Sequence, residues 1–386
     1  VKAAGAVPIA GFYVLYFACV GVTLPFLPAY LKSLHMSASE VGVLLALSPA
    51  LALVAPSLWG HLADRSGRPD RVLRLLGLGA CAGFAPLLWA RSFAGAAACM
   101  AAYAVFNSSI TAVIDGIALQ RVHSAGGNFA RLRLWGSLGF VCSATAFGQI
   151  AIGADHSTVV VSLALMGSFA AWAWTLDVRT GPREAEPPFA GLRLLGQRDL
   201  TLMLIASALH WIACAPFHGL FAIHVQALGL PLWVVGLSAG LGVIAEVAVM
   251  YAYPRVAERI SARHVLGLAF LGSAVRWLGM ASASSARALV LLSLLHGLTF
   301  GAFYVASIAL VSRRVPQGLR ARGQALFASF TFGLGGLVGY VGAGVGYDHL
   351  GGRGLFAAAA GVELMALAFL AATRGGPSPG IEAVPC

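Results

Sequence analysis

Apolar runs of 20 to 25 residues, separated by short polar or glycine-rich breaks, recur along the whole chain. At about 1.5 Å per helical residue, a run of about 20 residues crosses roughly 30 Å of hydrocarbon, so each run predicts a transmembrane helix. Twelve spans are predicted, at approximately 7–30, 41–62, 72–90, 94–119, 132–153, 157–176, 200–223, 233–253, 264–284, 286–311, 322–346 and 352–372. The longest polar interruption, "DVRTGPREAEPPFAGLRLLGQRD" at 177–199, is Pro-rich and charged, as suits a linker. The pattern therefore predicts an all-α polytopic membrane protein. Six helices in 1–176 and six in 200–386 form two bundles with pseudo-symmetry, joined by a cytoplasmic linker at 177–199.

Composition agrees with the pattern. Hydrophobic residues make up 59% of the 386 and charged residues only 10%, with a mean hydropathy of +0.85; soluble domains carry about 25% charged residues. A net charge of +11 on a soluble domain would point to nucleic acid. Here the basic residues fall in short clusters between apolar runs, so a lipid bilayer is expected as partner and nucleic acid is not. Cys19, Cys81, Cys99, Cys142 and Cys214 lie in apolar segments and Cys386 is terminal, so no disulfide framework is expected. The first run is too long for a signal-peptide core and reads as a retained helix.

Lysine and arginine set the orientation. Counting the loops on the side of both termini gives nineteen: Lys2, Arg65, Arg68, Arg71, Arg74, Arg121, Arg131, Arg179, Arg183, Arg193, Arg198, Arg255, Arg259, Arg263, Arg313, Arg314, Arg320, Arg322 and Arg374. The other side carries four, Lys32, Arg91, Arg287 and Arg353. This asymmetry predicts both termini in the cytoplasm. The two of the 25 basic residues left over from this count, Arg133 and Arg276, both fall inside spans.

A charge inside the membrane costs about 2.5–3.5 kcal/mol even on insertion scales, so each needs a reason. Glu246, Arg276 and His296 lie near the middle of predicted helices 8, 9 and 10. Asp115 and Arg133, 18 residues apart across a helix–loop–helix turn, sit at similar depth and can pair. Glu246 is the first choice for a proton carrier, with His296 sharing the proton and Asp115 as alternative carrier. Arg133 and Arg276 could hold a carboxylate while Trp135, Trp211, Phe217 and Tyr304 supply aromatic packing; Asp115 and Glu246 nearly balance the arginines, as a neutral sugar or nucleoside would allow. Glu363 in helix 12 has no assigned role. His210 and His224 are 14 residues apart and so share a face, His218 is turned off it, and His224 is expected at the outer surface. None of the His, Cys and acidic spacings reads as a metal site. Helix 11 holds seven glycines between Gly333 and Gly346, which permit close backbone approach.

The halves echo each other weakly: Asp64 and Arg65 in "GHLADRSGRPDR" recur 194 residues later as Glu258 and Arg259 in "PRVAERISARH". The first of these loops, through Gly60, Asp64, Arg65, Gly67 and Arg68, resembles the signature of the major facilitator superfamily, with Pro69 as a departure. In that reading Gly60 allows close packing of helix 2, and Asp64 meets a helix N-terminus or an arginine as a latch that breaks on rocking. "NFARLRLWGSLGF", "LSAGLGVIAEV", "AVRWLGMA" and "LLHGLTFGAFYVAS" resemble the phenylpropionic acid permease branch, related to lactose permease. The resemblance implies a proton symporter. The helix 4 acid and helix 5 arginine of lactose permease resemble Asp115 and Arg133, its helix 8 glutamate Glu246, its helix 9 arginine Arg276 and its helix 10 histidine His296. The second helix 10 acid of that pattern is replaced by Thr299, which moves any proton site elsewhere.

The expected function is secondary uptake of a small organic solute, an aromatic or other organic acid being favoured, with protons as coupling ion and no cofactor, by a monomer. A sugar or nucleoside symporter and a proton-antiport exporter are the alternatives. A membrane enzyme finds no nucleotide-binding or metal-ligand motif.

Overall fold

The computed structural model describes residues 5–151, 155–180 and 190–374, and all its long elements are helices. Lys2, Arg183, Cys386 and residues 181–189 of the predicted linker lie outside them. In chain order the helices are α1 Ala6–Ser33, α2 Ala38–Ala52, α3 Ala55–Ser66, α4 Pro69–Phe84, α5 Phe93–Asn107, α6 Ile110–Ala125, α7 Phe129–Ile150 and α8 Ser157–Trp172. They continue with α9 Arg198–Ala215, α10 Phe221–Ala227, α11 Trp233–Ala257, α12 Ala262–Ser282, α13 Ala286–Ser293, α14 Phe303–Arg314, α15 Arg320–Ala328 and α16 Gly335–Ala371.

Among the described residues ten helical stretches are long and apolar enough to cross a membrane. Two differences separate this from the twelve predicted spans. The stretch Gln317–Ala371 runs 55 residues and contains one non-helical residue, Gly351, whose φ of 67° only glycine adopts cheaply. The 22-residue α7 opens with Arg131 and Arg133, which dilute its apolar character.

Local chemistry sets the helix starts. Ser37 and Glu40 form a capping box at α2, with Glu40 N–H donating to Ser37 Oγ (3.1 Å) and Ser37 N–H to Glu40 Oε2 (2.8 Å). Asn128, Ser92, Ser261 and Ser285 cap α7, α5, α12 and α13. Three long stretches are interrupted by single π-helical turns, at Pro216–Leu220, Gly297–Ala302 and Ser329–Leu334. Such widened turns concentrate at functional sites.

Helices before residue 177 meet those after 197 along two seams. At one, α2 packs on α16, where the Gly42 Cα stands against Gly344 and the Tyr340 carbonyl. At the other, α7 packs on α11, where Gly148 and Gly236 face each other. Of the seven glycines of helix 11, Gly333, Gly336 and Gly344 face the first of these seams, at Leu53, at Pro49 and at Ala38 and Ser39, while Gly335 and Gly339 pack on α9 and a Cβ on Gly342 would meet nothing within 4 Å. Asp348 locks the first seam by accepting from Ala38 N–H (3.0 Å), Ser39 N–H (2.8 Å) and Ser39 Oγ (2.6 Å). At the opposite end, α3, α6, α14 and α15 have no comparable packing across the two sets. The molecule is closed at the Asp348 end and open at the arginine-rich end.

Candidate functional site

Asp115 on α6 and Arg133 on α7 meet where the two helices turn back on each other, with Arg133 Nε 4.0 Å from Asp115 Oδ1. Tyr13 on α1 donates to the same Oδ1 at 2.5 Å. The Arg133 guanidinium lies 4.0 Å from the Phe17 ring centroid and 5.6 Å from that of Tyr13, a cation–π seat that fixes its direction. The side chains of Arg133 and Asp115 are 34% and 29% exposed, which in a bundle interior means access from a polar opening. Tyr13 and Phe17 carried no charge or motif that could single them out in the sequence.

Across from this pair stand the residues of the C-terminal helices. Glu246 Oε2 on α11 is 3.6 Å from His296 Nε2, and His296 Nδ1 is 3.2 Å from Arg276 Nη1. α7, which carries Arg133, packs on α11, which carries Glu246, so the charged groups of the two sets stand on adjoining helices. Arg276 is completely buried, 4.1 Å above the Phe217 ring and 4.7 Å from Trp277, and its Nε and Nη2 have no hydrogen-bond partner. Two unpartnered donors on a buried cation are costly unless an acceptor arrives during the working cycle.

An aromatic wall surrounds the cluster, and the three π turns build it. They supply Phe217 and His218, Phe300, and Phe332. Trp211 stacks on His218 (5.1 Å) and meets Phe332 edge-on (4.8 Å), while Phe300 stacks on Tyr304 (5.7 Å) and on His296 (5.9 Å). Trp211, Phe217 and Tyr304 therefore join the cluster. Trp135 does not: two residues beyond Arg133, about 200° round the helix, it is 48% exposed and turned away.

The histidines of the 198–227 stretch also depart from the expectation. The widened turn at Pro216–Leu220 rotates the register, so His218 points to His296 (ring centroids 5.8 Å). His224 is buried against Phe356, not at the outer surface. His210 and Glu363 form a fully buried pair at 2.9 Å, completed by Trp277 Nε1 donating to Glu363 Oε1 (3.0 Å) and by the Thr299 carbonyl 2.8 Å from His210 Nε2. With Cys214 these two gather three metal-capable side chains, which the sequence spacing did not reveal. Glu363 sits at Nδ1 of the ring and Cys214 at Nε2, so one ion could not use both edges of the imidazole.

The loop between α3 and α4 is organised differently from its expected latch. A Cβ on Gly60 would meet nothing within 4 Å, so this glycine serves no close packing. Asp64, Arg65, Glu258 and Arg259 are exposed and do not pair across the two sets of helices among the described residues. The buried acid is Asp70, held by Arg68 through two bonds (2.9 and 2.8 Å) and by Arg74 at 3.1 Å. Asp70 raises the Arg68 guanidinium further above its ordinary range by that hydrogen bond. Gly67 ends α3 in the left-handed region (φ 61°), and its carbonyl accepts from Thr180 N–H at 2.9 Å. Arg68 and Arg74 also reach Asp177 and the Leu176 carbonyl, tying the loop to the segment after α8.

Comparison with known proteins accords with this geometry. The profile of the MFS_1 like family matches residues 7–358. A maltose permease of Geobacillus stearothermophilus is 28% identical over 345 residues, 84% of this chain and 83% of the relative. The probable 3-phenylpropionic acid transporter of Escherichia coli (strain K12) is 28% identical over 369 residues, 92% of this chain and 94% of the relative. The crystal structure of the nucleoside transporter NupG aligns with a TM-score of 0.84 at 16% identity, covering 95% of this chain and 98% of that one, and shows a shared fold. With most of its length matched, the chain belongs to the MFS_1 like family and is a multi-pass secondary transporter of the major facilitator superfamily.

Proposed function

We propose that the protein is a proton-coupled symporter that takes up a small organic acid, an aromatic carboxylate in the first instance, by alternating access. In this reading twelve helices cross a bacterial inner membrane, six on each side of the 177–199 linker, with both termini in the cytoplasm. The carrying observation is the shared cluster, in which Arg133 and Arg276 face Asp115, Glu246 and His296 between aromatic rings. Arg133 and the unpartnered nitrogens of Arg276 receive the carboxylate; Trp211, Phe217, Phe300 and Tyr304 take the apolar body. Glu246 is the proton carrier, shared with His296. The closed Asp348 end and open arginine-rich end correspond to a state facing the cytoplasm.

The phenylpropionate transporter of E. coli supports an acid; the maltose permease supports a sugar, for which Asp115 and Glu246 would accept hydroxyl hydrogens. Purified protein in liposomes decides between them. Uptake of labelled 3-phenylpropionate, maltose and uridine is measured with and without an inward proton gradient. Acid accumulation that needs the gradient, and loss of accumulation but not of exchange in Glu246→Gln, is expected. Gradient-independent uptake, or full accumulation by Glu246→Gln, refutes the coupling.

A further inference from the structure

The His210–Glu363 pair lies behind the cluster and takes no part in the function proposed above. Both side chains are 0% exposed, on α9 and α16, and each nitrogen of the imidazole has its own oxygen: Glu363 Oε2 at Nδ1 and the Thr299 carbonyl at Nε2. Carbonyl oxygens only accept, so Nε2 carries a hydrogen, and the 2.9 Å contact at Nδ1 needs one more. The pair as a unit therefore holds one bridging proton and is net neutral. Removing that proton would leave an imidazole lone pair facing a carboxylate at a fully buried position.

What could compensate the carboxylate stands beside it. Arg276 is on the same helix as Trp277, which already bonds Glu363 Oε1, and its charge interacts with Glu363. Its Nε and Nη2 are unpartnered. Groups facing the pair are Cys214 on α9 itself, 3.6 Å from His210 Nε2, and, from other elements, the rings of Phe270 and Phe303, Thr299 in the π turn that follows His296, and the imidazoles of His218 and His296, which interact electrostatically with His210. Glu363 thus has two partners engaged, His210 and Trp277, and a third available, the cation that also points toward the cluster through His296.

We propose that His210–Glu363 is a second proton-binding site, distinct from Glu246, and that its proton decides whether Glu363 or the solute occupies Arg276. With the proton in the bridge, Glu363 is neutralised within the pair and Arg276 is free for the solute's acceptor. When the proton leaves to water entering from the open end, the Glu363 carboxylate turns to Arg276 and competes with the solute. Proton and solute then bind together, which is what symport requires. The acid comes from α16 and reaches the Thr299 carbonyl through His210. The proposal rests on the symport reading, and its first test needs no solute.

Infrared difference spectra of the purified protein in lipid vesicles, between mildly acidic and alkaline pH, carry the test. Wild type and Glu246→Gln show a linked imidazole and carboxylate change that is lost in His210→Asn and in Glu363→Gln. If Glu363→Gln does not fold, Trp277→Phe, which removes one bond to the carboxylate, shifts the midpoint of the same change. Identical spectra in wild type and all folded variants overturn the proposal and leave a fixed structural pair. A second readout is 3-phenylpropionate binding in Glu246→Gln, where the first carrier no longer titrates: it weakens about tenfold per pH unit above the midpoint, and in folded Glu246→Gln/Glu363→Gln that dependence disappears. Dependence unchanged by the substitution overturns the competition for Arg276. Absence of 3-phenylpropionate binding in wild type counts against the proposed solute, while the spectra still decide the pair.

Discussion

Asp348 offers a direct measure of what closes one end of the molecule. The α2 capping box satisfies Glu40 N–H through Ser37, but leaves the amides of Ala38 and Ser39, and the Asp348 carboxylate takes both from across the seam. Asp348→Ala removes a cap, for which about 1 kcal/mol is typical, and an anion at a helix N-terminus, worth about 0.3–1 kcal/mol when exposed. The hydroxyl contact from Ser39 adds little, since water replaces it. The closed end should lose about 1.5 kcal/mol against the open one, slightly more than tenfold in population. α2 itself keeps Ser37 and Glu40 and stays folded. Spin labels at His35→Cys and His349→Cys, both exposed, report the separation across the seam by pulsed dipolar spectroscopy after removal of the exposed Cys142. The variant should move population from the short distance to a longer one, and salt should do the same more weakly in the parent protein. Superimposable distance distributions would refute the assignment of Asp348 as a cross-seam cap.

Other expectations separate packing from chemistry. Asp70→Asn leaves Arg68 and Arg74 against a neutral side chain in a fully buried position, and should cost about 3 kcal/mol, read as a fall in the melting temperature of purified protein. Gly60→Ala should be neutral or stabilising by about 0.5–1 kcal/mol, because its Cβ meets nothing; a large loss would show a packing role absent from this state. Gly236→Leu forces a side chain into the Ala144 carbonyl and should hold the seam apart, seen as increased labelling of a cysteine placed at Gly148.

Helical class and the recurrence of membrane-spanning runs were legible because membrane physics acts locally: run length and charge scarcity need no tertiary information. The closeness of Asp115 to Arg133 was legible for the same reason, since antiparallel neighbours bring residues at equal depth together. Direction around a helix was harder. Trp135 carries the right chemistry but sits about 200° from Arg133, and only the seat on Phe17 shows which side faces in. The π turns were invisible: an extra residue in one turn leaves hydropathy unchanged yet re-aims His218 and displaces His224. Glu363 looked unpaired because its partner is 153 residues away. In the loop, the repeat drew attention to Asp64, whereas burial selects Asp70 as the acid that holds the turn.

The seams are built from backbone rather than side chains. Where Gly42 meets Gly344 and Gly148 meets Gly236, the contacting surfaces carry no rotatable bonds of their own. Freezing a long side chain costs up to about 2 kcal/mol of lost rotamer freedom, and glycine and alanine cost none. A transporter must close the same end in every cycle, and a seam of this composition does so without ordering anything new. The selectivity of the closure then falls to the few groups with direction, Asp348 above all, which act as a keying contact on an otherwise featureless joint.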